Sequence, residues 1–546
     1  MIALIGKRKA KMVRCWISLF SFFCSLVCFS SFSLAFQNYL IIDNASQFYD
    51  FDPGAIIQKA LGNSRPIYPD LEANRLEEFI SEAKSKIDIE IYELRSERIQ
   101  ELIFSALERG VQVRILAEPD PVGNGCDAFS RFNMTNNEHC EESYNFTKKF
   151  KDLAKKQKKY KKSIKSDIVY FNKNLCWDDK KGKQSFCYQH GKMVLRDDKF
   201  LLLSTGNFNS SSLCESVYYT DNTCNRDFTV VIENEAAVKA LTTIFDLDFK
   251  VATECDVPPK NPRANNVIRK YTEGRCYGSE KQVDALAHRE KIANALKKHD
   301  VTELLTVNPI SANKITSMLN RAKRSIRIHA QYLKDPDWHA AIVSALARNV
   351  QVQLTLASFC HFNQRGGVGF IEKKTLVGPN GYISKWLDPL FSRKGRNISL
   401  RIFNQSIPEQ ETGKLGYQHA KAFVVDDSVG WIGSVNGSFT STHINREFGI
   451  FLHDPQAVSH LAELMDFDHS NGITLEQHIP NLDWEPTKGN VPVGTCKLYE
   501  KNKKQGEGKR KPANKWIDDM EDAWEESSRE HFADELYVPR KRRRLG

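Results

Sequence analysis

Two stretches of this sequence carry the same reactive side chains at the same spacing. Tyr188-Gln189-His190 is followed by Lys192 and Asp197, and Tyr417-Gln418-His419 by Lys421 and Asp426, with Asn207 and Asn436 at equal distances beyond. Asn225-Arg226-Asp227 and Asn445-Arg446-Glu447 close the two series. Histidine titrates near working pH, so one imidazole can attack as a neutral nucleophile while another donates a proton. Two imidazoles facing one phosphorus could open a phosphodiester through a phosphohistidine, then exchange roles and let water or an alcohol complete the turnover. Lys192 and Lys421 would neutralise the non-bridging oxygens, and Asn207 and Asn436 would add hydrogen bonds where charge builds. One histidine with a lysine two residues on is a weak signal, more often a surface or core residue. Two in register with matching flanks are specific.

The elements that must position these groups follow from periodicity. Residues two apart on a strand share a face, so each His-Lys pair points to one side. Asp197-Asp198-Lys199 and Asp426-Asp427-Ser428 read as turns into Phe200 to Leu203 and Val429 to Ile432, which makes each motif a hairpin. Seven residues of extended chain, at roughly 3.3 Å each, put the motif aspartate out of reach of its histidine. Asp197 and Asp426 are therefore expected to be structural, and Asp227 and Glu447, returning on neighbouring strands, are expected to orient the imidazoles. Thr205 and Ser434 are candidates for substrate phosphate, or plain strand-end hydroxyls. Tyr188, Tyr417, Phe208 and Trp431 read first as core and second as a lipid or base pocket. The repeat extends upstream, where Ser105 to Val113 recurs as Ser344 to Val352, each after a β-type run, Ile87 to Tyr92 and Ile326 to Ala330. Ile99, Leu102, Ile103 and Ala106 share a helical face, with Gly110 or Asn349 where a helix C-cap takes a left-handed residue. Each half thus begins as a parallel βαβ unit.

The doubled H-x-K-x4-D motif resembles the phospholipase D superfamily, in which each copy is commonly followed by G-S-x-N. Gly433-Ser434-Val435-Asn436 fits, while the first half reads Ser204-Thr205-Gly206-Asn207, keeping a hydroxyl and moving the glycine. The resemblance covers Leu71 to Glu235 and Thr302 to Asp454. It implies an α/β fold of two pseudo-twofold-related domains, each a mixed β-sheet flanked by helices, with one active site at their interface. It also implies His190 as nucleophile, His419 as acid, and no essential metal or other cofactor. The expected activity is that of an exported phosphodiesterase, a phospholipase D hydrolysing or transferring the head group of glycerophospholipids. The alternative is a nuclease of the same superfamily. A catalytically silent membrane- or nucleic-acid-binding protein is a third reading, which the intact His, Lys and Asn of both halves disfavour.

The 546 residues, 41% hydrophobic and 27% charged, have an ordinary globular composition that excludes collagen-like, wholly disordered and polytopic membrane classes. The formal charge of +10 resides at the two ends. Lys7, Arg8, Lys9, Lys11 and Arg14 open the chain and Arg540 to Arg544 close it; without them acids and bases balance, so a generally basic nucleic-acid binder is not implied. The first basic cluster and the apolar run Cys15 to Phe36 read as a signal peptide over 1-36, giving a secreted, periplasmic or lumenal protein, or a membrane anchor if uncleaved. Of 13 cysteines ten follow this segment, compatible with disulfides between sequence neighbours among Cys126, Cys140, Cys176, Cys187, Cys214, Cys224, Cys255 and Cys276. No C-x-x-C pair suggests zinc. The expected domains are 37-255, a connector 256-300, 301-480, and an extension 481-546 with an acidic stretch and a basic end. The first domain holds an insertion, Pro121 to Phe186, in which Phe146, Phe150, Leu153, Tyr160 and Ile164 keep near-helical spacing inside a lysine run. That basic helix would suit an anionic membrane surface or a nucleic-acid backbone, or would be a solvated face. A second insertion, Arg365 to Arg396, is expected beside the cleft. The expected partner is the phosphodiester substrate; no oligomer is specified.

Overall fold

The structure, a computed structural model, describes residues 39–43, 72–118, 138–178, 181–185, 187–213, 225–252, 283–357, 370–372, 382–391, 397–403, 417–475 and 497–499. The expected signal peptide and the C-terminal extension beyond 499 lie outside these residues. Among the described residues no helix is long and apolar enough to cross a membrane.

The first half runs β1 (Tyr39–Asp43), α1 (Glu72–Ser81), β2 (Lys86–Ile91), α2 (Glu97–Glu108), β3 (Gln112–Ala117), α3 (Glu138–Tyr160), β4 (Asp167–Tyr170), the hairpin β5 (Cys176–Asp178) and β6 (Lys183–Ser185), β7 (Lys192–Arg196), β8 (Phe200–Ser204), α4 (Ser210–Leu213), β9 (Asn225–Arg226), β10 (Phe228–Glu233) and α5 (Glu235–Val251). After α6 (Ala285–Lys298) the second half repeats the plan. It comprises β11 (Leu305–Asn308), α7 (Ala312–Arg321), β12 (Ser325–Ala330), α8 (Pro336–Ala347), β13 (Gln351–Leu356), β14 (Phe370–Glu372), β15 (Ile398–Ile402), β16 (Tyr417–Gln418), β17 (Ala422–Val425), β18 (Val429–Gly433), α9 (Phe439–His443), β19 (Glu447–Leu452) and α10 (Pro455–Asn471). Each half builds a seven-stranded mixed sheet, ordered β1-β10-β8-β7-β2-β3-β4 and β11-β19-β18-β17-β12-β13-β15. The two orders correspond strand for strand. The strands are apolar because helices cover them: Ile87, Ile89 and Ile91 of β2 are all fully buried. One apolar cluster joins Leu203, Phe228 and Val230 of the first half to Ala420, Ile432 and Phe448 of the second. The pair of mixed, helix-flanked α/β sheets that the resemblance implies is the fold observed.

Local signals explain the joints. Gly110 and Asn349 both take left-handed backbone, with φ of 86° and 70°, where α2 and α8 end. Asp197, Asp198, Asp426 and Asp427 also have positive φ, between 53° and 55°, which a short acidic residue tolerates at a hairpin turn. Asp197 then clamps the entry to β2: its carboxylate accepts from Lys84 N at 3.0 Å, Ser85 N at 2.7 Å, Ser85 Oγ at 2.8 Å and Lys86 N at 3.1 Å. Asp426 does the same for β12 through Lys323 N, Arg324 N and Ser325 N. These bonds hold both carboxylates below their ordinary pKa against the opposing effect of burial. Asp197→Ala should lower the free energy of unfolding by about 2 kcal/mol, read as a shift of the urea midpoint, because the three amides lose their acceptor.

The segment read as the first insertion belongs to the sheet. Helix α3 is the crossover between parallel strands β3 and β4, with Phe146 and Phe150 buried against Phe104 and Gln157 bonded to Leu107 O and Val111 O. The helical spacing does not extend to its last two members: Tyr160, at the helix end, is 92% exposed, and Ile164 is buried in the turn that follows. Cys176 and Cys187 form a disulfide across the β5-β6 hairpin, a pairing of sequence neighbours as expected. The remaining expected pairs, and most of the second insertion, lie outside the described residues. The connector contributes α6, whose Ile292, Ala295 and Leu296 enter the shared core.

Candidate active site

Neither half orients its own histidine. His190 N donates to Arg446 O at 2.8 Å, and His419 N to Arg226 O at 3.0 Å, so the chain entering each motif pairs with the other half's Asn-Arg-acid segment. The short parallel pairing of β16 with β9 and the bridge between Gln189 and Arg446 are the two copies of this exchange. Side chains follow the backbone. His190 Nδ1 lies 2.8 Å from Glu447 Oε2, and His419 Nδ1 lies 2.8 Å from Asp227 Oδ1. Each carboxylate fixes the far nitrogen of the imidazole across the pseudo-twofold axis and leaves Nε2 for a reacting group.

The other expected residues gather around this crossing. Lys192 and Lys421 are fully buried and each donates to the carbonyl of the histidine two residues back; Lys421 Nζ is also 3.3 Å from Thr205 O. Asn207 Nδ2 donates to Glu93 Oε2 at 3.2 Å, while Asn436 N donates to Ser441 Oγ at 2.8 Å. Thr205 and Ser434 are fully buried with their hydroxyls engaged. Thr205 Oγ1 donates to Asp227 Oδ1 at 2.7 Å and accepts from Phe228 N, and Ser434 Oγ accepts from Phe448 N. The moved glycine of the first half has a local reason: a Cβ at Gly206 would fall 2.7 Å from Asp227 Cγ. Phe208 and Trp431 are core residues, and Tyr188 lies under the Lys173 ammonium at 4.2 Å.

Burial governs the electrostatics. It pushes both imidazoles down, to about 4, against the raising pull of Glu447 on His190 and of Asp227 on His419; both lysines repel a proton on either ring. Sharing both lysines, the two rings occupy one electrostatic site. Burial likewise lowers Lys421 to about 8, and it lowers Lys192, which also faces Lys421. Burial opposes charge on Asp227 and Glu447 too, but the facing imidazoles and the lysines hold both carboxylates below their ordinary range. The resting site is thus two neutral imidazoles, each backed by an ionised carboxylate. Between the ordinary histidine pKa of 6.5 and the folded value of about 4, the unfolded chain binds protons that the folded rings refuse. Stability contributed by these histidines is therefore present above pH 6.5 and lost as pH falls toward 4. Denaturation midpoints at pH 7 and pH 4.5 should differ less in the His190→Ala, His419→Ala double variant than in the parent.

Several supporting residues had no role in the sequence reading. Arg226, next to Asp227, reaches Asp468 of α10 at 2.7 Å, and Arg446, next to Glu447, reaches Asp248 of α5 at 2.9 Å. All four are buried, and the two clamps again cross between halves. Their signal was present: Asp246-Leu247-Asp248 and Asp466-Phe467-Asp468 stand at equal distances after the two Asn-Arg-acid segments. Ser441 Oγ donates to Glu447 Oε1, and Tyr92 meets the His190 ring edge-on at 4.8 Å.

Two repeats that exchange carboxylates to build one two-histidine site define a pseudo-dimeric α/β protein of the phospholipase D architecture. Residues 76–249 and 315–468 match the family model described as cardiolipin synthase, PLD-like domain, and the chain belongs to this family within the phospholipase D superfamily. Members of this superfamily are phosphodiesterases and phospholipid-modifying enzymes. A search of curated proteins finds no match. Similar solved structures include a phosphatidylserine synthase of Haemophilus influenzae Rd KW20, 14% identical over 73% of this chain and 84% of that one, with a TM-score of 0.47. The phospholipase D family member Nuc of Salmonella typhimurium is 20% identical over 31% of this chain and 95% of its own, with a TM-score of 0.24. NucT of Helicobacter pylori is 18% identical over 31% and 97%, with a TM-score of 0.25.

Proposed function

We propose that the chain is an exported phospholipase D that hydrolyses glycerophospholipid head groups, and transfers them to alcohols, through a phosphohistidine on His190. The observation that carries the reading is the crossed pair of dyads, His190 with Glu447 and His419 with Asp227, around two buried lysines. A neutral His190 attacks the phosphorus, and the substrate's negative charge, placed between the rings, raises the proton affinity of His419 for its donation to the departing oxygen. Water or an alcohol, deprotonated by His419, then releases the phosphoryl group. Lys192 and Lys421 meet the non-bridging oxygens, and Asn207 and Asn436 add hydrogen bonds where charge builds.

Lipid is favoured over nucleic acid by where the charges lie. Glu93 sits beside Asn207 at the site, which suits a single phosphodiester with a neutral or cationic head group better than a polyanion. The lysines at the end of α3 lie toward the start of β4 and the end of α2, where Gln157 meets Leu107 O, and not among the residues that bond the two histidines. The purified chain would be offered vesicles of phosphatidylcholine and phosphatidylethanolamine with ethanol, and single-stranded DNA in parallel. Head-group release with phosphatidylethanol formation is expected, and cleavage of DNA with intact lipid would overturn the reading in favour of a nuclease.

A further inference from the structure

Beside the site, on the second half alone, three donors converge without serving the chemistry. Asp335 caps α8, its Oδ1 accepting from Asp337 N at 3.0 Å and Trp338 N at 2.9 Å. Its side chain is fully buried; the Thr442 hydroxyl stands against it but donates to Ser438 O, and Oδ2 receives no well-aimed hydrogen bond. Asp337 in the first turn of α8 and His443 at the end of α9 face that oxygen. His443 Nε2 lies 3.0 Å from Asp337 Oδ2 and 3.7 Å from Asp335 Oδ2, and it too makes no hydrogen bond. The three donor atoms all lie within 4.8 Å of one another. Ligand atoms about 2.0–2.1 Å from a tetrahedral ion stand roughly 3.3 Å apart, the spacing these groups approach.

Two simpler explanations leave something over. Capping does not require the acids, because at the matching position of the first half Ser96 caps α2 with its hydroxyl, 3.0 Å from Ile99 N, and Arg98 stands where Asp337 does. An ion pair does not suffice either, since a proton on His443 would be poorly aimed at both carboxylates and would leave two neighbouring acids sharing one positive charge. We infer that Asp335, Asp337 and His443 form a site for a divalent cation of the zinc or manganese class. Two carboxylates with one imidazole suit these ions better than calcium or magnesium. The cation would fasten the turn before α8 to α9. Helix α9 carries Ser441, which bonds both Glu447 and Asn436 N, so the ion would brace the dyad of His190 without touching phosphorus.

The test uses the full chain, treated with chelator, dialysed, and titrated with zinc chloride or manganese chloride. Elemental analysis should return one ion per chain, and the thermal midpoint should rise with the ion. In an Asp337→Asn, His443→Gln double variant the affinity should fall about 100-fold, the upper end of what even an outer partner of a metal ligand contributes. Asp337 is 37% exposed and both replacements are close in size, so the metal-free midpoint of the variant should match the parent's and report an intact fold. No stoichiometric ion with either salt, or equal affinity in the variant, would overturn the inference. Neither result bears on whether the chain cleaves lipid.

Discussion

A His190→Ala chain should form no phosphoryl-enzyme from a nitrophenyl phosphodiester, whereas a His419→Ala chain should load one and then stall. The proposed roles require it. Nitrophenolate leaves without a proton, so the first step needs only a neutral nucleophile, while release of the phosphoryl group needs a base on the opposite side. With an ordinary lipid both variants should lose about 10⁴-fold or more in kcat, the scale on which removal of a nucleophile or its partner acts in comparable two-residue machinery. Acid quench and peptide mapping report which ring carries phosphorus. Both rings rest at a pKa of about 4 for the same first cause, burial, and each has one carboxylate at 2.8 Å, so proton affinity does not choose between them. The surroundings differ more than the dyads do. His190 has the edge of Tyr92 against it, and its carboxylate is the longer Glu447, which also receives the Ser441 hydroxyl. Recovery of the adduct on His419 would exchange the roles and leave the reaction class in place.

What the sequence revealed and what it hid divide along a physical line. Spacing along one strand is a local property, so the hairpins, the shared face of each His-Lys pair and the turn role of Asp197 and Asp426 could be worked out from reach alone. The doubled βαβ start was legible because Gly110 and Asn349 mark equivalent helix ends. Crossing between halves is not local: nothing in Asn225-Arg226-Asp227 says that its acid serves His419 in place of His190. That choice is made by backbone pairing, His419 N to Arg226 O, and by the Arg226–Asp468 and Arg446–Asp248 clamps, whose partners lie 242 and 198 residues apart. The α3 segment misled for a related reason. Its ten lysines from Lys148 to Lys165 resemble an appended basic helix, while the few apolar positions that seat it, Phe146 and Phe150, are those of an ordinary crossover. Thr205 and Ser434 were legible as hydroxyls near the site, but their engagement with Asp227 and with the strand of Glu447 depends on the packing of β8 against β10 and of β18 against β19.

The exchange of carboxylates makes a kinetic prediction that pairing within each half would reverse. Asp227→Asn should lower steady-state turnover of phospholipid about 10³- to 10⁴-fold, because an amide favours the wrong tautomer of His419 and withdraws the charge that stabilises its imidazolium. Glu447→Gln should do the same through His190. The nitrophenyl substrate separates them. Its first step bypasses the acid, so Asp227→Asn should keep a near-normal burst of nitrophenol and lose only the slow phase that follows. Glu447→Gln disturbs the nucleophile itself, and its burst should slow with the rest of the reaction. Were Asp227 coupled to His190, the burst would vanish in Asp227→Asn and survive in Glu447→Gln, which rapid-mix absorbance would show directly. Both acids are fully buried, so each variant must first match the parent in folded fraction, and the isosteric amides are chosen because they keep volume and one hydrogen bond while removing the charge. The surviving burst of Asp227→Asn excludes a general loss of fold in that variant, since unfolding would remove both phases together; for Glu447→Gln the matched folded fraction makes the exclusion.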